Sequence, residues 1–226
     1  MELGIRRRLN NLKLRLSGAT KESEELRFWA ERRATVGFSY HKYEYFYTEH
    51  FGFDRRFYAG KKVLDIGCGP QGSLEWADGA ALRVGLDPLA LAYRRLGTRD
   101  HRMDYVTAGS EHIPFPDGAF DIVCAFNALD HVDDLERTIS EIVRVVAPGG
   151  WFLLLTELNH APTICEPVTF SWEIVRRFEP QLRLVDERHY EKTEDGMYPS
   201  IRAGVPYDHA DHRQRYGILS AKFQKP

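Results

Sequence analysis

Two aspartates, Asp65 and Asp87, each sit at the end of a short apolar run, and three glycines lie between them at Gly67-x-Gly69-x-x-Gly72. A glycine-rich turn after a strand lets the backbone approach a ligand closely, and a helix starting there favours anionic groups. The glycine spacing fits the dinucleotide fingerprint, but its neighbours do not. A carboxylate at Asp65, two residues before the first glycine, would oppose a pyrophosphate and suit a ligand carrying an ammonium and a sulfonium. The segment after the loop, "SLEWADGA", is acidic and short and lacks the usual long apolar helix. Asp87, at the tip of "VGLDP", is placed to accept both hydroxyls of a ribose, which serves a dinucleotide and a sulfonium nucleoside equally.

A second set of candidates follows later apolar runs: Asn127, Asp130 and His131, then Glu157 and His160. In an open α/β sheet ligands sit outside the carboxyl ends of the strands, so His131 and His160 are candidate general bases. The tail "PYDHADHRQRY" holds His209, Asp211 and His212. Its His-x-x-His spacing matches neither a helical i,i+4 pair nor a zinc signature, so no metal site is expected. Cys68, Cys124 and Cys165 are odd in number, far apart and without a CxxC, which argues against a disulfide framework or zinc and fits a reducing cytoplasm.

These residues need a frame. Lys62–Ile66, Leu82–Leu86, Tyr105–Ala108, Phe120–Phe126 and Trp151–Thr156 are short and nearly continuously apolar, as parallel strands buried on both faces are. Leu135, Ile139, Ile142, Val143 and Val146 recur at helical spacing, and Pro148-Gly149-Gly150 turns that helix into the next strand. The alternation predicts a doubly wound α/β sheet over residues 60–226. "SWEIVRRFEP" reads as a helix N-capped by Ser171, and "LRLVDERHY" and "RYGILSAKF" as two more strands joined by a long segment, 191–212. Residues 1–59 read as an N-terminal helical extension: a basic amphipathic stretch at 1–20, then two aromatic-rich helices near 22–34 and 40–50 that pack onto the sheet.

Four ordered motifs carry a resemblance. "VLDIGCGPQG", "VGLDP", "AGSEHIPFPDGAFDIVCAFNALDHVDD" and "LERTISEIVRVVAPGGWFLLL" together resemble the class I S-adenosylmethionine-dependent methyltransferase family, in its small-molecule branch, over roughly 100 residues. The resemblance implies a mostly parallel seven-stranded Rossmann-like sheet and S-adenosylmethionine as cofactor, with S-adenosylhomocysteine as product. It places Asp65, Gly67, Cys68 and Gly69 around the amino-acid end of the cofactor. Asp87 would bind the ribose, Pro88 and Leu89 would line the adenine, Ser110 and Glu111 would flank its edge, and Phe126 and Asn127 would face the methionine portion. Two departures stand out: Pro70-Gln71 displace the third glycine to Gly72, and Gly109 stands where many relatives have an aspartate.

The implied activity is methyl transfer to a small-molecule acceptor at oxygen or nitrogen, by in-line displacement. Segment 191–212 would act as a lid, with Tyr207 and His209 contacting the acceptor, and Tyr43 and Tyr47 would roof it from the N-terminal side. The alternative is a non-catalytic relative that acts as a binding or partner subunit; an NAD-binding oxidoreductase is opposed by Asp65 and by "PFPDGAFDIV". With 31 basic and 33 acidic side chains, the formal charge is -2. That gives no drive toward nucleic acid. No apolar run reaches the ~18 residues of a spanning helix. The expectation is a cytoplasmic monomer or homodimer without integral membrane association, the basic residues 1–20 being the one stretch suited to a membrane surface.

Overall fold

The structure, a computed structural model, describes residues 20–37 and 41–226. The expected basic helix at 1–20 lies outside the described residues apart from Thr20.

Seven strands form one sheet: β1 (Lys62–Ile66), β2 (Leu82–Leu86), β3 (Asp104–Val106), β4 (Phe120–Phe126), β5 (Val146–Leu158), β6 (Arg183–Glu191) and β7 (Gly217–Gln224), in the order β3-β2-β1-β4-β5-β7-β6. The pairings from β3 across to β5 are parallel, whereas β7 runs antiparallel to both β5 and β6. The sheet is therefore mixed, mostly parallel. Because β7 reverses and β6 reverses again, β6 points the same way as β1–β5, and segment 191–212 leaves from the edge that carries the ends of β1, β2, β4 and β5.

Strand residues alternate between two apolar layers. Leu64, Val123, Ala125, Phe152 and Leu154 face one side, where they meet Ile139, Ile142 and Val145 of the helix Leu135–Val145. Val63, Ile122, Cys124, Leu153 and Leu155 face the other, with Tyr43, Phe46, Tyr47, Phe51, Tyr58 and Trp76. The chain before β1 supplies most rings of this second layer, from helices α2 (Glu44–Tyr47) and α3 (Arg55–Tyr58) and the 3-10 turns at His41–Tyr43 and Glu49–Phe51, which follow helix α1 (Lys21–Val36). The connection from β1 to β2 contains turns only, so the aromatic side chains of the N-terminal segment cover the sheet face where a crossover helix would pack.

α1 is of another kind. It opens on a capping box between Thr20 and Ser23 and buries none of its residues. Lys21 pairs with Asp133 at 2.8 Å, and Trp29 lies against Gly69. The next helices in order are α4 (Ala90–Tyr93), α5 (Leu135–Val145, N-capped by Asp134) and α6 (Met197–Ala203). Three expectations need correction. The third strand is Asp104–Val106 rather than Tyr105–Ala108. Residues Trp172–Phe178 form a 3-10 helix, and the Ser171 side chain makes no cap hydrogen bond. The Pro148-Gly149-Gly150 turn is absorbed into β5, where the register with β4 shifts between Phe120 and Ile122.

Candidate functional site

β1 and β2 pair with Ile66 opposite Leu86, so Asp65 and Asp87 lie at the same end of neighbouring strands. Between them runs the glycine loop. Gly67 has φ +67°, and a Cβ there would come within 2.4 Å of the Ala128 Cβ. Glycine thus lets this loop close onto the segment that follows β4. Gly69 has φ +56°, with the Trp29 ring 2.9 Å from the place a Cβ would take. Cys68 turns its sulfur toward Gly85, which leaves its backbone to the site, and burial pushes its thiol up.

Asp65 is buried. Its Oδ2 accepts from the Tyr47 hydroxyl at 2.9 Å and from the Ser73 hydroxyl. Asp87 Oδ2 accepts from Gly69 N at 3.1 Å and its Oδ1 from Leu89 N at 2.8 Å. Among the described residues neither carboxylate has a lysine or arginine within 4 Å. Burial without a cation pushes Asp65 up to about 7, against the pull of the Ser73 and Tyr47 hydrogen bonds. It pushes Asp87 up to about 6, against the Leu89 and Gly69 amides.

At the end of β4, Asn127 has φ +53°, uncommon for a residue with a side chain. Its amide nitrogen donates to Leu155 O at 2.7 Å, and its side-chain Oδ1 is buried without a hydrogen-bond partner. An orphaned acceptor and two buried carboxylates lacking cations form a donor-seeking site. Ammonium and hydroxyl groups fit it. A pyrophosphate, which brings only acceptors and negative charge, does not, and the β1–β2 connection has no helix N-terminus to receive one. S-adenosylmethionine has the matching chemistry: an ammonium, a sulfonium and a ribose diol.

The comparisons with known proteins agree. Residues 64–154 match the family model described as a methyltransferase domain. The match and the relatives below support a class I S-adenosylmethionine-dependent methyltransferase domain over that stretch. A phthiotriol/phenolphthiotriol dimycocerosates methyltransferase of Mycobacterium ulcerans is 35% identical over 48% of this chain and 41% of its own length. Tocopherol O-methyltransferase of Arabidopsis thaliana is 29% identical over 50% of this chain and 35% of its own. The chain thus spans about two-fifths of the length of the curated relatives it matches. Among solved structures, the N-methyltransferase NodS of Bradyrhizobium japonicum, in complex with S-adenosyl-L-homocysteine, superposes with a TM-score of 0.54 at 16% identity, over 74% of this chain and 79% of its own. That likeness speaks to the fold alone.

Around the methyltransferase domain's cleft, the other sequence-derived residues divide into groups. Pro88 and Leu89 turn directly after Asp87 and lead into α4. Ser110 is buried and bonded to Thr138 at 3.0 Å. Glu111 Oε1 accepts from Asp133 N at 2.9 Å, and its Oε2 stands 2.6 Å from the place a Cβ on Gly109 would take. The Glu111 carboxylate therefore fills the space beside Gly109. The Phe126 ring packs on Tyr47 at 4.5 Å. Tyr43 is buried against Tyr198 of α6 at 5.3 Å, and burial pushes its hydroxyl up to about 12.

Tyr207 and His209 do not join Tyr43 and Tyr47. They lie at the β5–β7–β6 edge with Trp172, Asn159 and Arg215, around an open cavity of about 290 Å³. Tyr207 meets Trp172 edge-on at 4.8 Å with the Arg215 guanidinium 4.1 Å from its ring. His209 Nε2 is 2.8 Å from His189 Nδ1. His131 is partly exposed and lies 3.9 Å from both Glu25 and Asp130. His160 is buried, with Nδ1 at 3.2 Å from Ala161 O and Nε2 at 3.5 Å from Asp130 Oδ2.

Sequence reasoning missed Ser73, Trp29 and Trp172. Ser73 follows Gly72 directly, so its reach back to Asp65 is legible as a turn contact. Trp29 and Trp172 reach their places only through tertiary packing and have no local signal.

Proposed function

We propose that this chain transfers a methyl group from S-adenosylmethionine to a hydroxyl or amine of a small-molecule acceptor. The supporting observation is the pair of buried carboxylates, Asp65 and Asp87, without a cation among the described residues, at the ends of adjacent strands beside a glycine loop that starts no helix. Asp87 takes the ribose hydroxyls. Asp65, oriented by Tyr47 and Ser73, and the Asn127 carbonyl take the ammonium. Pro88 and Leu89 line the adenine, with Ser110 and the Glu111 carboxylate near its edge. When bound, S-adenosylmethionine supplies an electrophilic methyl group for in-line attack. The chain's own part is to hold the reacting atoms aligned and to exclude water.

The acceptor enters from the side where β4, β5 and β6 end. There Tyr207, His209 and Trp172 offer aromatic surface and hydrogen-bonding nitrogens, and segment 191–212 covers the approach. The relatives named above are methyltransferases of phthiotriol/phenolphthiotriol dimycocerosates and, at oxygen, of tocopherol, which supports a small-molecule acceptor here. Tritium-labelled methyl transfer tests this reading against panels of phenols, aliphatic alcohols and amines. Label recovered in an extracted hydroxylated or amine product is expected. S-adenosylhomocysteine binding with no labelled product from any panel would favour a non-catalytic binding subunit.

A further inference from the structure

Next to the cleft, the turn after β4 and the loop after β5 bring two histidines and two carboxylates together. Asp130, His131 and Glu166 each place one ligand-type atom within 4.8 Å of the others, and His160 reaches the same Asp130 from the β5 side. A cluster of this kind is common on surfaces and by itself means nothing. What distinguishes it is buried and unpaired. Asp130 and His160 have side chains only 1% exposed, yet Asp130 Oδ1 and His160 Nε2 both lack a hydrogen-bond partner.

The tautomer sharpens the point. A carbonyl oxygen only accepts, so the 3.2 Å contact with Ala161 O puts a proton on His160 Nδ1. Nε2 faces the Asp130 carboxylate at 3.5 Å, close to the ~3.4 Å that separates two ligand atoms of one tetrahedral ion. An imidazole whose far N–H is held by a backbone carbonyl is also the way proteins orient a histidine toward a metal.

We infer that Asp130, His131, His160 and Glu166 form a site for a divalent transition ion, zinc above others. Two imidazoles with two carboxylates suit zinc better than magnesium or calcium, which prefer all-oxygen shells. Ligand atoms about 2.0–2.2 Å from a tetrahedral ion lie about 3.4 Å apart, so side-chain rotations of the order of an ångström close the group Asp130, His131 and Glu166, and His160 stands at that spacing from Asp130 already. The site joins the ends of β4 and β5, the strands that flank the acceptor approach. An ion there would lower the pKa of a bound hydroxyl and orient it; this role rests on the proposed methyl transfer, whereas the binding site does not. Sequence spacing gave no sign of it, because the four residues come from two loops.

The test is metal binding by tag-free full-length protein. The protein is freed of metal with EDTA and titrated with Zn²⁺ by calorimetry and with Co²⁺ by visible absorption. One equivalent is expected to bind with a micromolar or tighter Kd. His131→Gln and Glu166→Gln, both at partly exposed positions, should weaken binding about tenfold or more with unchanged circular dichroism. His209→Gln, at the far edge of the sheet, should leave the Kd within about twofold. No binding up to millimolar ion, or binding insensitive to His131→Gln and Asp130→Asn, would overturn the inference and make a proton shared by Asp130 and His160 the occupant. Titrating the same samples with S-adenosylhomocysteine keeps the two readings apart, since either ligand can bind without the other.

Discussion

Asp65 is the residue on which the cofactor reading is most exposed to test. Held up to about 7 by burial, it keeps its proton in the folded chain at pH values where an unfolded chain has lost it. The sign follows from linkage. The folded state binds the extra proton, so this group's contribution to stability is present at acid pH and is lost as pH rises from its ordinary range toward 7. A ligand ammonium selects the ionised form and reverses that preference. S-adenosylhomocysteine affinity should therefore fall about tenfold from pH 8 to pH 6, and binding near pH 6.5 should release protons, read by calorimetry in buffers of different ionisation enthalpy. Tyr47→Phe removes a donor to the ionised carboxylate, so the affinity drop should move to higher pH. A flat profile between pH 6 and 8 would mean that Asp65 does not face the ammonium. The sequence made Asp65 and Asp87 legible as a pair because both end apolar runs. It could not reveal that Tyr47 serves Asp65, since eighteen residues and a change of element separate them.

At the scale of elements, strand positions were readable wherever apolar residues run unbroken. β1, β2 and β4 have the bounds that their composition predicts, and α5 follows its 3.6-residue pattern to Val145. Prediction weakened where tertiary packing decides. Segment 172–178 has helical periodicity but tightens into a 3-10 helix, and β3 is cut short at the sheet edge. The aromatic segment before β1 gave no clean period because its rings fill the space that the β1–β2 connection leaves without a helix. α1 is the element with the clearest functional consequence. It buries no residue yet lays Trp29 over Gly69, so it covers the cleft while adding little to the core. A chain beginning at residue 38 should melt within about 4 °C of the full protein, a change of ~1 kcal/mol at this size, and should lose about tenfold or more in S-adenosylhomocysteine affinity. A large fall in melting temperature would show that α1 is structural; unchanged affinity would remove it from the site.

For the whole molecule, the fold places every carboxyl strand end of β1, β2, β4, β5 and β6 on one edge and assigns that edge two ends: a donor-seeking cleft at β1–β2 and an aromatic, hydrogen-bonding cavity at β5–β7–β6. The two groups of residues that the sequence suggested for the acceptor fall on opposite sides of this arrangement, Tyr43 and Tyr47 with the cleft and Tyr207 and His209 with the cavity, because β7 inserts between β5 and β6 and carries the tail outward. No helix among the described residues is long and apolar enough to cross a membrane. The carboxylate pair should select an ammonium-bearing adenosine ligand over a dinucleotide. Calorimetry of the wild-type chain and of Asp87→Ala, each with S-adenosylhomocysteine and with NAD, tests it most directly. One S-adenosylhomocysteine site is expected in the wild type, with affinity lowered about a hundredfold or more in Asp87→Ala by loss of charge-assisted hydrogen bonds to the ribose, and no NAD binding. Binding of NAD in place of S-adenosylhomocysteine, or an affinity untouched by Asp87→Ala, would contradict it.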